Sequence, residues 1–214
     1  MKPLPALGTK CVASFNQSLD IASATETLWL TAKPASAVRK QLKTAQLEAL
    51  YEATFLRVFS AYESFIEDSL AHYMAGYGTV TYRPAASTTG QIHSSLTSAV
   101  AALYGGNDYL LWHNAKASID RAIKHLVGCP VETALTGNKI NLDDYAKIRH
   151  HIAHNSRDSG AKFAAAASRL TGSEHRRQPG KLLRSADISD PLNPTKWIRV
   201  IVDDMAATVL QICP

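Results

Sequence analysis

Along most of this chain of 214 residues, apolar side chains recur at steps of three and four, the spacing of one face of an α-helix. The clearest stretch is 43–75, where Leu47, Leu50, Tyr51, Phe55, Val58, Tyr62, Phe65 and Ile66 form one stripe and Gly76 and Gly78 close it. Residues 11–32 are apolar with Ser, Thr and Ala interspersed, and Lys33-Pro34 stops them, since the residue before a proline avoids the helical conformation. Shorter helices are predicted over about 92–104, ended by Gly105-Gly106-Asn107, and over about 114–127, ended by Gly128-Cys129-Pro130. Another begins near Asn141 to Asp143, where Asn or Asp can cap and Asp143 and Asp144 suit the positive helix end, and stops around Arg157 to Gly160. Ala161–Leu170 adds a turn or two. The last helix runs from about Thr195 to Gln211 on an apolar face of Trp197, Ile198, Ile201, Met205, Val209 and Leu210. Residues 79–91 lack the period apart from a brief β-prone Thr79–Tyr82. So do residues 171–193, punctuated by Gly172, Pro179-Gly180 and Pro191. The expected fold class is therefore all-α: a single domain over 1–214, with a long central helix and irregular loop insertions at about 79–113 and 171–193.

Composition narrows the function classes. An apolar fraction of 46% with 19% charged residues is ordinary for a globular protein. No run approaches eighteen apolar residues, so no membrane partner is expected, and the start Met1-Lys2-Pro3-Leu4-Pro5 lacks the apolar stretch of a signal peptide. Cys11, Cys129 and Cys213 stand in no metal or redox spacing, which suggests reduced thiols and a cytoplasmic location. Gly137-Asn138-Lys139 falls far short of a phosphate-binding loop, no Ser or Cys stands recognisably against a base, and no cofactor is implied.

The formal net charge of +5 is unevenly spread. Residues 1–114 hold eight basic and eight acidic side chains, residues 115–185 hold thirteen and six, and residues 186–214 hold two and four. The positive segment favours a polyanion partner. Within it, Arg176, Arg177, Lys181 and Arg184 form a basic stretch expected to track RNA, with Tyr145 and Tyr109 as rings for stacking on an unpaired base.

The same segment carries the run Ala146-Lys147-Ile148-Arg149-His150-His151-Ile152-Ala153-His154-Asn155, with three of the eight histidines. On a helix advancing roughly 100° per residue, Ile148, Ile152, Tyr145 and Leu142 mark the core side. Arg149 falls at the edge of that stripe, His150 and His154 fall together on the opposite side, and His151 and Asn155 lie between. An arginine can hold a phosphate and a histidine can move a proton near neutral pH, which is most of what cleavage by an RNA 2′-hydroxyl needs. An arginine near an apolar face needs an anion, and Glu63 on the long central helix is the candidate to orient Arg149.

An aromatic helix containing Tyr62-Glu63-Ser64-Phe65, a later Lys-Ile-Arg-His-His-Ile-Ala-His-Asn segment over residues 147–155 and a closing apolar helix resemble the HEPN-domain family, nearest to the RiboL-PSP-HEPN group and stand-alone HEPN toxins. The motif covers about ten residues and the supporting helix about thirty, while the rest matches only in being helical. The resemblance implies a metal-independent endoribonuclease with two R-x4-H motifs facing across the two-fold axis of a homodimer. His154 would act as base or acid, its copy in the partner would take the complementary role, and Arg149 would bind the scissile phosphate. His150 would occupy the polar position after the arginine, and Asn155 would hold phosphate or the His154 ring. A toxin or phage-defence role, restrained by an antitoxin or regulator, follows by analogy.

Two other readings stand beside this one. His150, His154 and Asp158 recur at steps of four, an acceptable ligand geometry for a metal enzyme, although the glutamate of a zinc protease is missing. A helical bundle with this motif is also compatible with a non-catalytic RNA-binding or protein-interaction module.

Overall fold

The computed structural model describes residues 2–173, 175, 178–187, 191, 192 and 194–213, and the fold is all-α. Among the described residues ten helices run in the order α1 (Leu7–Thr31), α2 (Ala37–Gln41), α3 (Thr44–Met74), α4 (Leu96–Tyr104), α5 (Ala115–His125), α6 (Pro130–Gly137), α7 (Lys139–His154), α8 (Arg157–Thr171), α9 (Pro179–Arg184) and α10 (Trp197–Ile212). The strands are two-residue pieces. β1 (Lys2–Pro3) lies parallel to β2 (Tyr77–Gly78), and β3 (Ala186–Asp187) lies antiparallel to β4 (Thr195–Lys196). No helix of the described residues is long and apolar enough to cross a membrane.

The long central helix keeps its predicted bounds to within a residue at each end; of its expected stripe Leu47, Tyr51, Phe55, Val58, Tyr62, Phe65 and Ile66 are buried and Leu50 is half-buried. Thr79–Tyr82 forms a turn instead of a strand, closed by Thr79 N–H donating to Tyr82 O over 3.0 Å. The described residues within 178–187 are less irregular than expected. Pro179 opens α9, Leu182 and Leu183 are buried, and β3 follows at once. In both α6 and α9 the proline stands in the first turn, where a missing N–H costs nothing and a fixed φ helps.

The contacts divide the chain into two compact units. The first comprises Met1–Val12, Ala61–Asp143 and Met205–Pro214. Its buried side chains include Phe65, Leu70, Tyr73 and Met74 of α3, Val131 and Leu135 of α6, and Met205, Val209 and Ile212 of α10. The Tyr73 hydroxyl donates to Ile212 O. Segment 85–90 is strapped to the end of α5: Ser87 N–H donates to His125 O (3.1 Å), Thr89 Oγ1 to Lys124 O (3.0 Å) and Val127 N–H to Ala85 O (2.9 Å). The first two use carbonyls that a helix C-terminus leaves without intrahelical partners. A Cβ on Gly90 would lie 2.2 Å from His125 O, so only glycine permits this approach.

The second unit comprises Ala13–Ser60 and Asp144–Asp204. Its buried side chains include Phe15 and Leu19 of α1, Leu47, Tyr51, Phe55 and Phe59 of α3, Tyr145 and Ile148 of α7, Phe163 of α8, and Ile198, Ile201 and Val202 of α10. The whole histidine run of α7 lies in this unit.

Candidate functional site

The inward face of α7 includes more polar groups than its apolar period implies. Leu142, Asp144, Tyr145, Ile148 and His151 are buried, whereas Ile152 is only half-buried. Asp144 and His151 tolerate burial because each has partners inside the unit. The Asp144 carboxylate, 4% exposed, accepts from Lys147 Nζ at 2.8 Å and pairs with Arg169 of α8. His151, 2% exposed, places Nδ1 2.9 Å from Ser159 Oγ and stacks on Phe163 of α8, with centroids 5.2 Å apart. Tyr145 donates from its hydroxyl to Asp204 of α10 over 2.8 Å. These bonds hold α7 against α8 and α10 of its own unit.

The other side of the same two turns is open. Arg149 and His150 are half-buried, and His154 and Asn155 are exposed. The His150 and His154 rings lie 4.6 Å apart at an interplanar angle of 51°, one helical turn apart as their spacing predicts. The helix stops immediately after His154. Asn155 takes φ +40°, the left-handed region that Asn tolerates better than most residues, and its N–H donates to His151 O over 2.8 Å. Ser156 then caps α8 in a reciprocal box with Ser159. The chain thus leaves an arginine, two neighbouring imidazoles and a carboxamide on an accessible helix end. The set supplies donors to an oxyanion, a cation for a phosphodiester and imidazoles for proton transfer.

The remaining expected site residues are placed as follows. Tyr145 is 3% exposed, so its ring offers no face to a base and that expected contact is corrected. Tyr109 is exposed at 64%. Arg184 Nε donates to Glu26 at 2.7 Å and its guanidinium lies 5.5 Å over the Trp29 ring. That pairing ties the Arg184 guanidinium into the packing of its own unit. Lys181 is exposed on α9, and Arg176 and Arg177 lie outside the described residues. Glu63 belongs to the first unit, where its Oε1 is 3.0 Å from His113 Nδ1. The helix stop at Asn155 takes Asp158 out of the four-residue register on which the metal alternative rests. Asp158 falls in the first turn of α8, paired with Lys162 at 2.7 Å, and among the described residues no three His, Cys, Asp or Glu side chains converge to hold a metal.

Asp144, His151 and Ser159 escaped the sequence reading as site-supporting residues. A signal was present, because Asp144, Ile148 and His151 are spaced four and three apart and Ser156-x-x-Ser159 has capping-box spacing. Comparison with family models, with curated proteins and with solved structures gives no match.

Proposed function

We propose that the protein is a metal-independent endoribonuclease of the HEPN kind, with Arg149 and His154 as its reacting pair. The observation that carries the reading is the end of α7, where His150 directly follows Arg149 and its ring stands 4.6 Å from that of His154 one turn on, while the other face is pinned by Asp144, Tyr145 and His151. Arg149 binds the scissile phosphate and stabilises its added transition-state charge. The His154 imidazole removes the 2′-hydroxyl proton, the 2′-oxygen attacks phosphorus, and the 5′-oxygen leaves with a proton from a second imidazole, giving a 2′,3′-cyclic phosphate and a free 5′-hydroxyl. A second copy of the chain supplies that imidazole across a two-fold axis, since one helix end carries too few groups to surround a phosphodiester. His150 and Asn155 support the phosphate and the His154 ring, and Arg176, Arg177 and Lys181 extend the RNA track. A cell-restraining effector of the toxin or phage-defence type, held by an antitoxin or regulator, is the role such an activity serves.

The test is RNA cleavage by wild type, Arg149→Ala and His154→Ala, each with and without EDTA, with circular dichroism to verify folding. The expected outcome is cleavage that survives EDTA, leaves 2′,3′-cyclic ends and falls by at least about a hundredfold in each variant. Cleavage that EDTA abolishes, or that both variants retain, would overturn the assignment. RNA binding without cleavage, retained by His154→Ala, would make the protein a binding module.

A further inference from the structure

Away from the histidine run, the second unit contains a buried ionic cluster with an imbalance of charge. Glu26 of α1 is 4% exposed and accepts from Tyr51 Oη (2.5 Å), from Arg184 Nε (2.7 Å) and from Lys196 Nζ. Lys196 Nζ also lies 2.7 Å from Tyr51 Oη. Among the described residues, Glu26 is the one carboxylate that pairs with either cation, so one negative charge faces two positive ones. Both are partly withdrawn from water, with side chains 21% exposed for Arg184 and 36% for Lys196. Burial pulls the Lys196 ammonium below its ordinary value.

This cluster opens into a cavity of about 290 Å3. Tyr51 and Lys196 form its inner end, Leu19, Ala22 and Ile198 are its apolar wall, and Ser23 and Arg199 stand towards its mouth. The first turn of α10 also lines it through Ile198 and Arg199, and first-turn N–H groups favour negative charge. Arg199 directs Nε to Asp203 (3.0 Å) and Nη1 to Asn16 (3.4 Å), leaving further donors of its five. Asp20 is the carboxylate among the lining residues, and it is exposed.

We propose that this pocket binds a small organic anion, its charged end on Lys196 at the inner end and its apolar body against Leu19, Ala22 and Ile198, with Arg199 adding positive charge at the mouth. The volume is near the lower end of the roughly 300–1,000 Å3 typical of small-molecule sites, which limits the ligand to about one ring and its anionic group. Asp20 disfavours a second negative charge at the mouth and accepts a hydrogen bond from a hydroxyl or amine there. The site is independent of the ribonuclease reading, because none of its residues belongs to the α7 set.

Titration calorimetry of the full chain with phenyl phosphate, benzoate and neutral phenol tests the proposal, the two anions separating phosphate from carboxylate preference. Saturable binding of at least one anion is expected, with phenol weaker by roughly tenfold or more and affinity falling as salt rises. Lys196→Met removes the inner cation and Ser23→Trp fills the mouth from an exposed position on α1, and each should weaken the anion by roughly tenfold. Lys40→Met, on α2 outside the pocket, should leave it unchanged. The proposal is overturned if neither anion saturates by about 10 mM, if phenol binds as tightly, or if anion affinity survives both pocket variants. Should Lys196→Met fail to fold, Ser23→Trp alone decides between these outcomes.

Discussion

Ser159 Oγ meets four neighbours: His151 Nδ1 at 2.9 Å, Ser156 N at 2.9 Å, Ser156 Oγ at 3.1 Å and Ser156 O at 3.0 Å. One hydroxyl therefore satisfies a buried imidazole and closes the cap of α8, tying together the two helices that bracket His154 and Asn155. Ser159→Ala deletes all of these bonds, the one to buried His151 Nδ1 included. It is expected to cost about 1–3 kcal/mol in urea unfolding, whereas Ser156→Ala, exposed and outside the imidazole contact, should cost about 1 kcal/mol. Equal losses would mean that the His151 bond contributes nothing beyond the cap. Asn155 adds a second test at this scale. Asn155→Val places a β-branched residue at φ +40° and should lose about 1–2 kcal/mol, while Asn155→Gly should be nearly neutral. The histidine run itself was legible from the chain, because residue type and a four-residue step suffice to place His150 beside His154. The partners of Asp144 and His151 were not, since a polar residue on a helix reads as solvent-facing until the neighbour that satisfies it is known.

At the level of elements, length and punctuation decided what could be read. α3 carries eight stripe residues between Leu47 and Ile66, over about five and a half turns, and no local feature competes with that period. α6 and α9 were missed because Pro130 and Pro179-Gly180 read as stops, whereas both prolines open helices. Gly180 has a specific reason to be glycine: its N–H donates to Glu52 Oε1 over 2.8 Å, and a Cβ there would lie 2.5 Å from the backbone Glu48 O. Gly180→Ala must therefore push α9 off α3 and should cost about 1–3 kcal/mol, although alanine is the better helix former. A stabilised Gly180→Ala protein, measured by thermal unfolding, would show that α9 does not dock as closely as this contact implies. The basic segment also looks different once its pairs are known. Lys116, Lys139, Lys147, Lys162, Arg169 and Arg184 each pair with a carboxylate, so six of the thirteen basic side chains of the segment serve helix stability and packing.

For the molecule as a whole, burial of neutral titratable groups shapes the dependence of stability on pH. His125 is buried, and desolvation, then Lys124 and His93, hold its value below the ordinary histidine range. The unfolded chain therefore takes up that proton first, and stability should fall as pH drops below about 6.5 towards the lowered folded value. At the other end, burial pushes the Cys11 and Cys129 thiols up to about 12, so stability should fall again above about pH 8.5 as the unfolded thiols ionise first. Urea unfolding across pH should give a plateau between these limits, and His125→Gln should flatten the acid limb. The proposed two-fold site makes a separate demand on the assembled molecule. If each cleavage event needs an imidazole from both copies, specific activity must fall on dilution in step with the dimer fraction measured by sedimentation. It must be restored by raising protein concentration at constant RNA. A monomeric site would draw on one chain alone, and its turnover per chain stays constant through the same dilution. Constant turnover below the dissociation midpoint would therefore remove the partner's imidazole from the mechanism, and a single chain would have to supply both acid and base, with His150 beside His154 as the available pair.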